Sequence, residues 1–356
     1  MRNWEDDSSI VSRDDRILVT GASGFVGSRV VACLLDHGFR NVRCFVRSAN
    51  ETVRHRLLGD GHDGGKIELL VGNLLSREDC VAATADVSLV LHLAAGRGEK
   101  FYADAFMNSV VTTRNLLDAC VLHGRAKRFV NVSSFSVYTN HTKARGGVLD
   151  ETCAVELYPH LRGEAYCFAK RNQDDIVTEY AREHGIRYVI IRPGAVYGPG
   201  NLAITGRVGI DTFGVFLHLG GSNPIPFTYV DNCAEAIVLA GLKEGIDGEV
   251  FNVVDDDLPT SRQFLRLYKK NVRRFNSVYV PHPVSYALCY LWERYSDWSE
   301  GQLPPTFNRR RWSAFWRKAE YSNNKLKRRV GWLPRVTTEE GLRRYFSACR
   351  EGGGDA

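Results

Sequence analysis

The sequence predicts the α/β class, a doubly wound parallel sheet followed by a smaller C-terminal lobe. Three observations lead there. Short apolar runs alternate with amphipathic helical stretches over about the first 190 residues, the pattern of right-handed strand–helix–strand crossovers. The first run, Arg16–Thr20, feeds straight into Gly21, Gly24 and Gly27 at the opening of a helix, a spacing suited to holding a dinucleotide. Beyond about residue 200 the alternation stops, so a differently built lobe follows the sheet.

Taken in order, residues 1–15 are polar and aperiodic and read as a flexible arm. After the first strand, Gly21 lets the chain leave in a tight turn, Gly24 removes a Cβ that would block a pyrophosphate, and Gly27 lets the next helix sit close to the sheet. Ser23, Phe25 and Val26 complete this loop, and Val30, Val31, Leu34 and Leu35 continue the helix's apolar face. The helix start offers unpaired N–H groups and a positive dipole end to phosphates. The second strand, 42–46, ends at Arg47, where a dinucleotide fold meets the adenosine ribose. An acidic residue there serves NAD, whereas an arginine accommodates a 2′-phosphate; Arg47 therefore points to NADP, with NAD as the alternative.

Lys66–Val71 is the third strand, with Asn73 and Leu74 turning beneath the adenine. The fourth, 87–93, leads into Ala94, Ala95 and Gly96, whose small side chains admit the cofactor. A single helix over 103–123 should face the sheet with Phe106, Val110, Thr113, Leu117 and Cys120. Arg128–Val132 is the fifth strand, ending at Ser133 and Ser134. The polar connection 139–163 is too long for an idle turn and reads as a substrate wall or lid. A helix carrying Tyr166 and Lys170 follows, then the sixth strand, 188–191, and the turn through Pro193, Gly194 and Val196. The Rossmann-type unit is thus assigned to 16–198 with returning strands near 227–254. The substrate-binding lobe takes 199–226 and 255–346, and 347–356 is a flexible tail.

Composition sets limits. With 44% hydrophobic and 25% charged residues in 356, the chain is an ordinary globular protein rather than a disordered one. No apolar run is long enough to span a bilayer and no leader opens the chain, so the expected location is cytoplasmic. Nine scattered cysteines without a C-x-x-C pair suggest reduced thiols and no metal site. The net charge of +6 is concentrated late, with thirteen Lys/Arg against three Asp/Glu over 307–350, and no nucleic-acid-binding motif accompanies it.

Chemistry gathers at three residues. Tyr166 and Lys170 lie four apart, hence on one helix face, and Ser134 ends a neighbouring strand. A tyrosine has an unperturbed pKa of about 10, and lowering it by three units takes roughly 4 kcal/mol. Lys170 and an oxidised nicotinamide beside the phenol would both favour the phenolate, while a serine hydroxyl holds the substrate oxygen. The expectation is proton transfer beside hydride transfer.

Several ordered motifs carry a resemblance. They are Thr20 through Gly27, Leu91-His92-Leu93-Ala94-Ala95, Ser133-Ser134 ahead of Tyr138, Tyr166 with Lys170, Arg192 through Gly200, Tyr229-Val230-Asp231-Asn232 and residues 326–334. From about residue 16 to about 346 the chain resembles an extended short-chain dehydrogenase/reductase of the NAD-dependent epimerase/dehydratase family. The resemblance implies Tyr166 as general acid/base, Lys170 as ribose clamp, Ser134 as substrate hydrogen bond, and a homodimer built on helices 103–123 and 163–184. It also implies Ser109 in the cofactor set, where the family usually has asparagine and where Asn108 stands alongside.

Departures from the family pattern bear on the substrate. Phe135 and Ser136 replace the acidic pair of the dehydratases, and Ile225 stands where sugar-nucleotide members tend to carry an arginine. With Arg47, this resembles the 3β-hydroxysteroid-dehydrogenase-like and dihydroflavonol-reductase-like members. Arg309, Arg310 and Arg311 could still replace the missing arginine, and Asn201 joins them as a substrate contact. Two rival readings are a nucleotide-sugar 4-epimerase with tightly bound NAD and a non-catalytic dinucleotide sensor. The stripe Tyr286, Leu288, Leu291, Trp292, Tyr295 and Trp298 reads as core packing between lobes, with a membrane surface as the alternative.

Overall fold

Strand burial on both faces decides the architecture: along Arg16–Thr20, Ile17 and Val19 enter one core and Leu18 the opposite one. The computed structural model describes residues 9–58, 66–96, 101–140, 147–212, 214–300 and 302–352. Its central sheet holds β1 (Arg16–Thr20), β2 (Asn41–Val46), β3 (Lys66–Val71), β4 (Val87–His92), β5 (Arg128–Val132), β6 (Tyr188–Pro193) and β7 (Val250–Val253). All are parallel, in the order β7-β6-β5-β4-β1-β2-β3. The chain runs outward in opposite directions from β1 and β4, which opens a crevice beyond their carboxyl ends.

Helices α1 (Phe25–Asp36), α2 (Thr112–His123), α3 (Ala165–His184) and α4 (Val230–Leu242) clothe this sheet. One core joins Val30 and Leu34 of α1 to Ala236 and Ile237 of α4; the other joins Leu117 of α2 to Ile176 and Val177 of α3. Glu235 of α4 locks the first pair further, accepting from Cys33 Sγ (3.0 Å) and pairing with His37 and Arg335. Burial raises the thiols of Cys44, Cys80 and Cys120 to about 12, so they stay protonated.

The smaller lobe is built on aromatic packing. Tyr197, Phe227, Phe264, Tyr268, Tyr345 and Phe346 form its core. A three-stranded sheet of Gly209–Thr212, Val215–His218 and Ser277–Tyr279 flanks it. Helices α5 (His282–Trp298) and α6 (Arg309–Trp316) complete the lobe. Among the described residues, no helix is long and apolar enough to cross a membrane.

Four expectations are corrected. Residues 1–8 of the arm lie outside the described residues, but Ser9 bridges Lys243 and Val11 is buried, so 9–15 is fastened to the domain. At the other end, 353–356 lies outside the described residues, while Thr338–Gly352 is one helix with Cys349 buried in the aromatic core. Leu326, Val330 and Trp332 belong to the sheet core, not the second lobe. Trp332 is fully buried and donates its indole N–H to the Asn232 carbonyl (3.0 Å), while the Asn232 side chain receives the backbone N–H groups of Arg335 and Val336. Finally, the helix expected over 103–123 is interrupted: Phe106–Val111 is π-helical, and Phe106 turns outward at 37% exposure.

Candidate active site

The glycine loop is built by close approach. Gly21 adopts φ +68°, and a Cβ there would meet Ala94 N at 2.9 Å. A Cβ at Gly27 would collide with the Gly21 carbonyl oxygen, so α1 sits as near the loop as backbone permits. Gly24 caps α1 without a side-chain hydrogen bond, which leaves the first-turn N–H groups for a ligand. The loop opens on a cavity of about 1580 Å³. Drug-sized ligand sites run to about 1,000 Å³, so this one has room for a dinucleotide together with a second molecule.

Most of the expected residues meet in that cavity. Gly21, Ser23, Gly24, Phe25, Val26 and Gly27 line it, with Arg47 at the end of β2 and Asn73 and Leu74 after β3. Ala94, Ala95 and Gly96 follow β4 into the wall, as do Pro193, Gly194 and Val196 after β6. Ser134, Tyr166, Lys170 and Asn201 line the same space. Glycine cradle, uncapped helix start and Arg47 together fit a nicotinamide dinucleotide. Arg56, from helix Glu51–Leu58, donates to the Ser23 carbonyl (2.8 Å) and adds a second guanidinium beside the loop.

Lys170 is held where a charge is costly. It is 4% exposed, and its Nζ donates to the Val132 carbonyl at 2.7 Å. Burial pushes it down to about 8, against the opposing pull of Asp174. Asp174 is buried in turn, pairing with Arg192 (3.0 Å) and accepting from Asn131 (3.0 Å). Ser134 begins the 3₁₀ turn Phe135–Val137, and its Oγ accepts from Ser136 N at 3.1 Å. Arg162, fully buried, donates to the Ser136 and Tyr138 carbonyls and pairs with Glu164 (3.0 Å), thereby tying the serine turn to the start of α3, where Tyr166 sits.

A buried polar chain fixes the floor. Ala94 N–H donates to Thr20 Oγ1 (3.3 Å), which lies 2.8 Å from His92 Nδ1; His92 Nε2 lies 2.8 Å from Thr113 Oγ1. Thr113 gives its proton to the Ser109 carbonyl and accepts from Gln173 of α3. Each hydroxyl has one proton to give, so this pattern assigns the proton of His92 to Nε2. Burial, reinforced by the Lys170 charge, pushes His92 down to about 3 and keeps it neutral.

Ser109, expected among the cofactor contacts, is instead buried behind the wall, where its Oγ accepts from Gly96 N at 2.9 Å. Asn108, within the π-helical turn, and Thr112, just after it, line the cavity. The arginine cluster also divides. Arg309 is clamped by Glu293 (2.9 Å) and Arg310 by the buried Glu156 (2.9 Å), and neither lines the cavity. Arg311 alone of the three does, while donating to the Thr306 carbonyl. The remaining wall mixes polar Asn108, His160, Glu164 and Thr205 with an apolar set: Phe101, Tyr102, Ile204, Phe227, Phe264 and Tyr345. No local pattern marks the apolar set in advance, since its members come from five separate segments joined only by folding. Of the 139–163 connection, His160 and Gly163 line the cavity, and 141–146 lies outside the described residues.

Known proteins share this arrangement of loop and sheet. Residues 17–253 match the NAD dependent epimerase/dehydratase family. Among curated proteins, the chain is similar to 3beta-hydroxysteroid-dehydrogenase/decarboxylase isoform 2 of Arabidopsis thaliana, 25% identical over 93% of this chain and 61% of that protein. The chain therefore spans about three fifths of that relative's length. It is also similar to the sterol-4-alpha-carboxylate 3-dehydrogenase, decarboxylating, of Mus musculus, 24% identical over 94% of this chain and 91% of the relative. Among solved structures, the UDP-glucuronic acid 4-epimerase of Bacillus cereus in complex with NAD shares the fold, with a TM-score of 0.70 at 20% identity, covering 94% of this chain and 99% of the other.

Proposed function

The chain belongs to the NAD dependent epimerase/dehydratase family, and from this we propose that it is an NAD(P)-dependent oxidoreductase interconverting a secondary alcohol and a ketone on an apolar small molecule. One observation carries the reading: a single cavity joins the glycine loop, Ser134, Tyr166 and Lys170 to a set of aromatic and aliphatic side chains. A bound nicotinamide would supply or accept the hydride there. Tyr166 Oη gives or takes the proton of the substrate oxygen, and Ser134 Oγ–H donates to that oxygen and fixes its direction. The Lys170 ammonium, buried and held by the Val132 carbonyl, lowers the cost of a tyrosinate beside it. The apolar part of the wall excludes water from the transfer and strengthens each of these charge interactions.

Arg47, with Arg56 close to the loop, supports NADP ahead of NAD, because two guanidinium groups suit a 2′-phosphate. A homodimer is proposed through 103–123 and 163–184; exposed Met107 (45%) and Leu122 (69%) support that face. Arg311 in the cavity wall supports the nucleotide-sugar 4-epimerase reading.

The test is Tyr166→Phe, assayed with NADPH and NADH against a panel of apolar ketones and alcohols. Turnover is expected to vanish while cofactor affinity changes by less than about threefold; full activity overturns the mechanism. Cellular function surviving in that variant would favour the dinucleotide sensor. UDP added to the cofactor-saturated protein separates the epimerase, since a ligand at a hundred times its Kd raises stability by about 2.7 kcal/mol.

A further inference from the structure

Helix α5 is amphipathic in the inverted sense. Ser285, Cys289 and Ser296 are its buried residues, whereas Val284, Leu288, Leu291, Tyr295 and Trp298 are 49%, 56%, 61%, 51% and 76% exposed. Their spacing of four, three, four and three places all five on one stripe, about 21 Å long at the helical rise. This corrects the expectation of packing between lobes: within the stripe named from the sequence, Trp292 turns inward, donating Nε1–H to the Pro304 carbonyl at 3.2 Å. Val278 and Tyr279, 55% and 44% exposed, lie in the strand just ahead of the helix in the chain.

We infer that this face of α5 docks on an anionic lipid bilayer and places the cavity mouth against it. Charge selects the occupant. Arg294 lies exposed beside the stripe, and near the start of α5 Arg262 sits over the Tyr279 ring at 5.3 Å while Lys269 Nζ donates to Ser277 Oγ at 2.6 Å; of the two acids on α5, Glu293 is paired with Arg309, which leaves Asp297 against these cations. Leucine on the face, tyrosine and tryptophan at its end and basic groups around it are the composition of a helix lying in a membrane interface. A second copy of the chain would bring the same positive charge against itself.

The helix is also mechanically joined to the cavity. Trp292 holds Pro304, and Ser296 Oγ donates to the Leu303 carbonyl at 2.6 Å. Pro304, Pro305 and Thr306 then line the cavity, and Pro305 packs on Gly163 so closely that a Cβ there would collide with its carbonyl oxygen. Tyr166 is three residues further on. A bilayer-dissolved substrate would thus enter beside the proton-transfer group. Docking rests on the surface alone; the delivery of an apolar alcohol or ketone rests on the oxidoreductase reading above.

The test is flotation of the full chain with phosphatidylcholine vesicles, with and without phosphatidylserine, for the wild type, Leu288→Glu/Leu291→Glu and Arg294→Glu. Expected are binding to the phosphatidylserine vesicles, a loss of at least about tenfold in the double variant, and a smaller loss in Arg294→Glu. Turnover of a water-soluble secondary alcohol should be unchanged in the double variant, which also certifies its fold. No vesicle binding by the wild type overturns the inference, as does binding indifferent to the double substitution. A wild-type oligomer that the double variant dissociates, without vesicle binding, assigns the stripe to a second copy instead. Vesicle binding without any dehydrogenase turnover would sink the oxidoreductase reading and leave the docking surface standing.

Discussion

Lys170→Met should stabilise the cofactor-free protein at neutral pH while abolishing its activity, and the sign should reverse in alkali. The folded lysine is held at about 8 against an ordinary 10.5. Its charged form therefore opposes folding: the cost is fully present below pH 8 and fades as pH rises from 8 towards 10.5. At 1.36 kcal/mol per decade this is about 3 kcal/mol at pH 7 and below about 1 kcal/mol at pH 10. Methionine removes the charge but leaves the Val132 carbonyl without its 2.7 Å donor, at about 1–3 kcal/mol. The net is a gain of up to about 2 kcal/mol at pH 7 and a loss of up to about 2 kcal/mol at pH 10. Urea unfolding of wild type and variant at the two pH values measures the difference, and other titrating groups cancel in the comparison. The same stability change at both pH values would refute the buried charge.

Gly27→Ala should weaken cofactor binding tenfold or more, because its Cβ cannot be placed without moving Gly21 and thus Ala94; an unchanged Kd by fluorescence titration would show that the loop can yield. Arg47→Asp should cost NADPH affinity about tenfold or more and NADH far less; equal losses would remove its ribose role. Ketone reduction should decline as pH rises through about 8, where Lys170 gives up its proton, and Lys170→Arg should carry any residual activity to higher pH; a profile flat to pH 10 contradicts the assignment. Arg310→Ala strips the partner of the buried Glu156 and should cost about 2–4 kcal/mol in stability with KM unchanged, whereas Arg309→Ala, at a more exposed pair, should cost under about 1 kcal/mol. A rise in KM in either would return these arginines to the substrate site.

How much could be read beforehand follows from the range of the forces involved. The glycine loop, the six leading strands and the Tyr166–Lys170 pair are local patterns, and period and spacing reveal them. Ser109 is buried and does not line the cavity whereas Asn108 does, and two adjacent polar residues in the sequence do not reveal which of them faces it. Arg309 and Arg310 do not line the cavity, and Glu293 and Glu156, sixteen and 154 residues away in the chain, hold them. Trp332 joined the sheet core through Asn232, a hundred residues earlier.

The α5 stripe failed differently, and its error is informative. Leu288, Leu291, Tyr295 and Trp298 do share one face, but that face is exposed, while Trp292 turns inward and Tyr286 packs edge-on against Trp312. Apolar spacing marks out one face of a helix, not what covers that face. Three small polar or thiol residues, Ser285, Cys289 and Ser296, point inward, and Ser285 accepts from Trp312 Nε1 (2.9 Å) while Ser296 donates to Leu303. Those hydrogen bonds satisfy the inward face, so the helix does not need to turn its leucines to the core to be held. An exposed stripe retained on a helix already anchored by its polar side has to be explained by something outside the fold, and its attachment to Pro304 and Pro305 ties that explanation to the cavity they line.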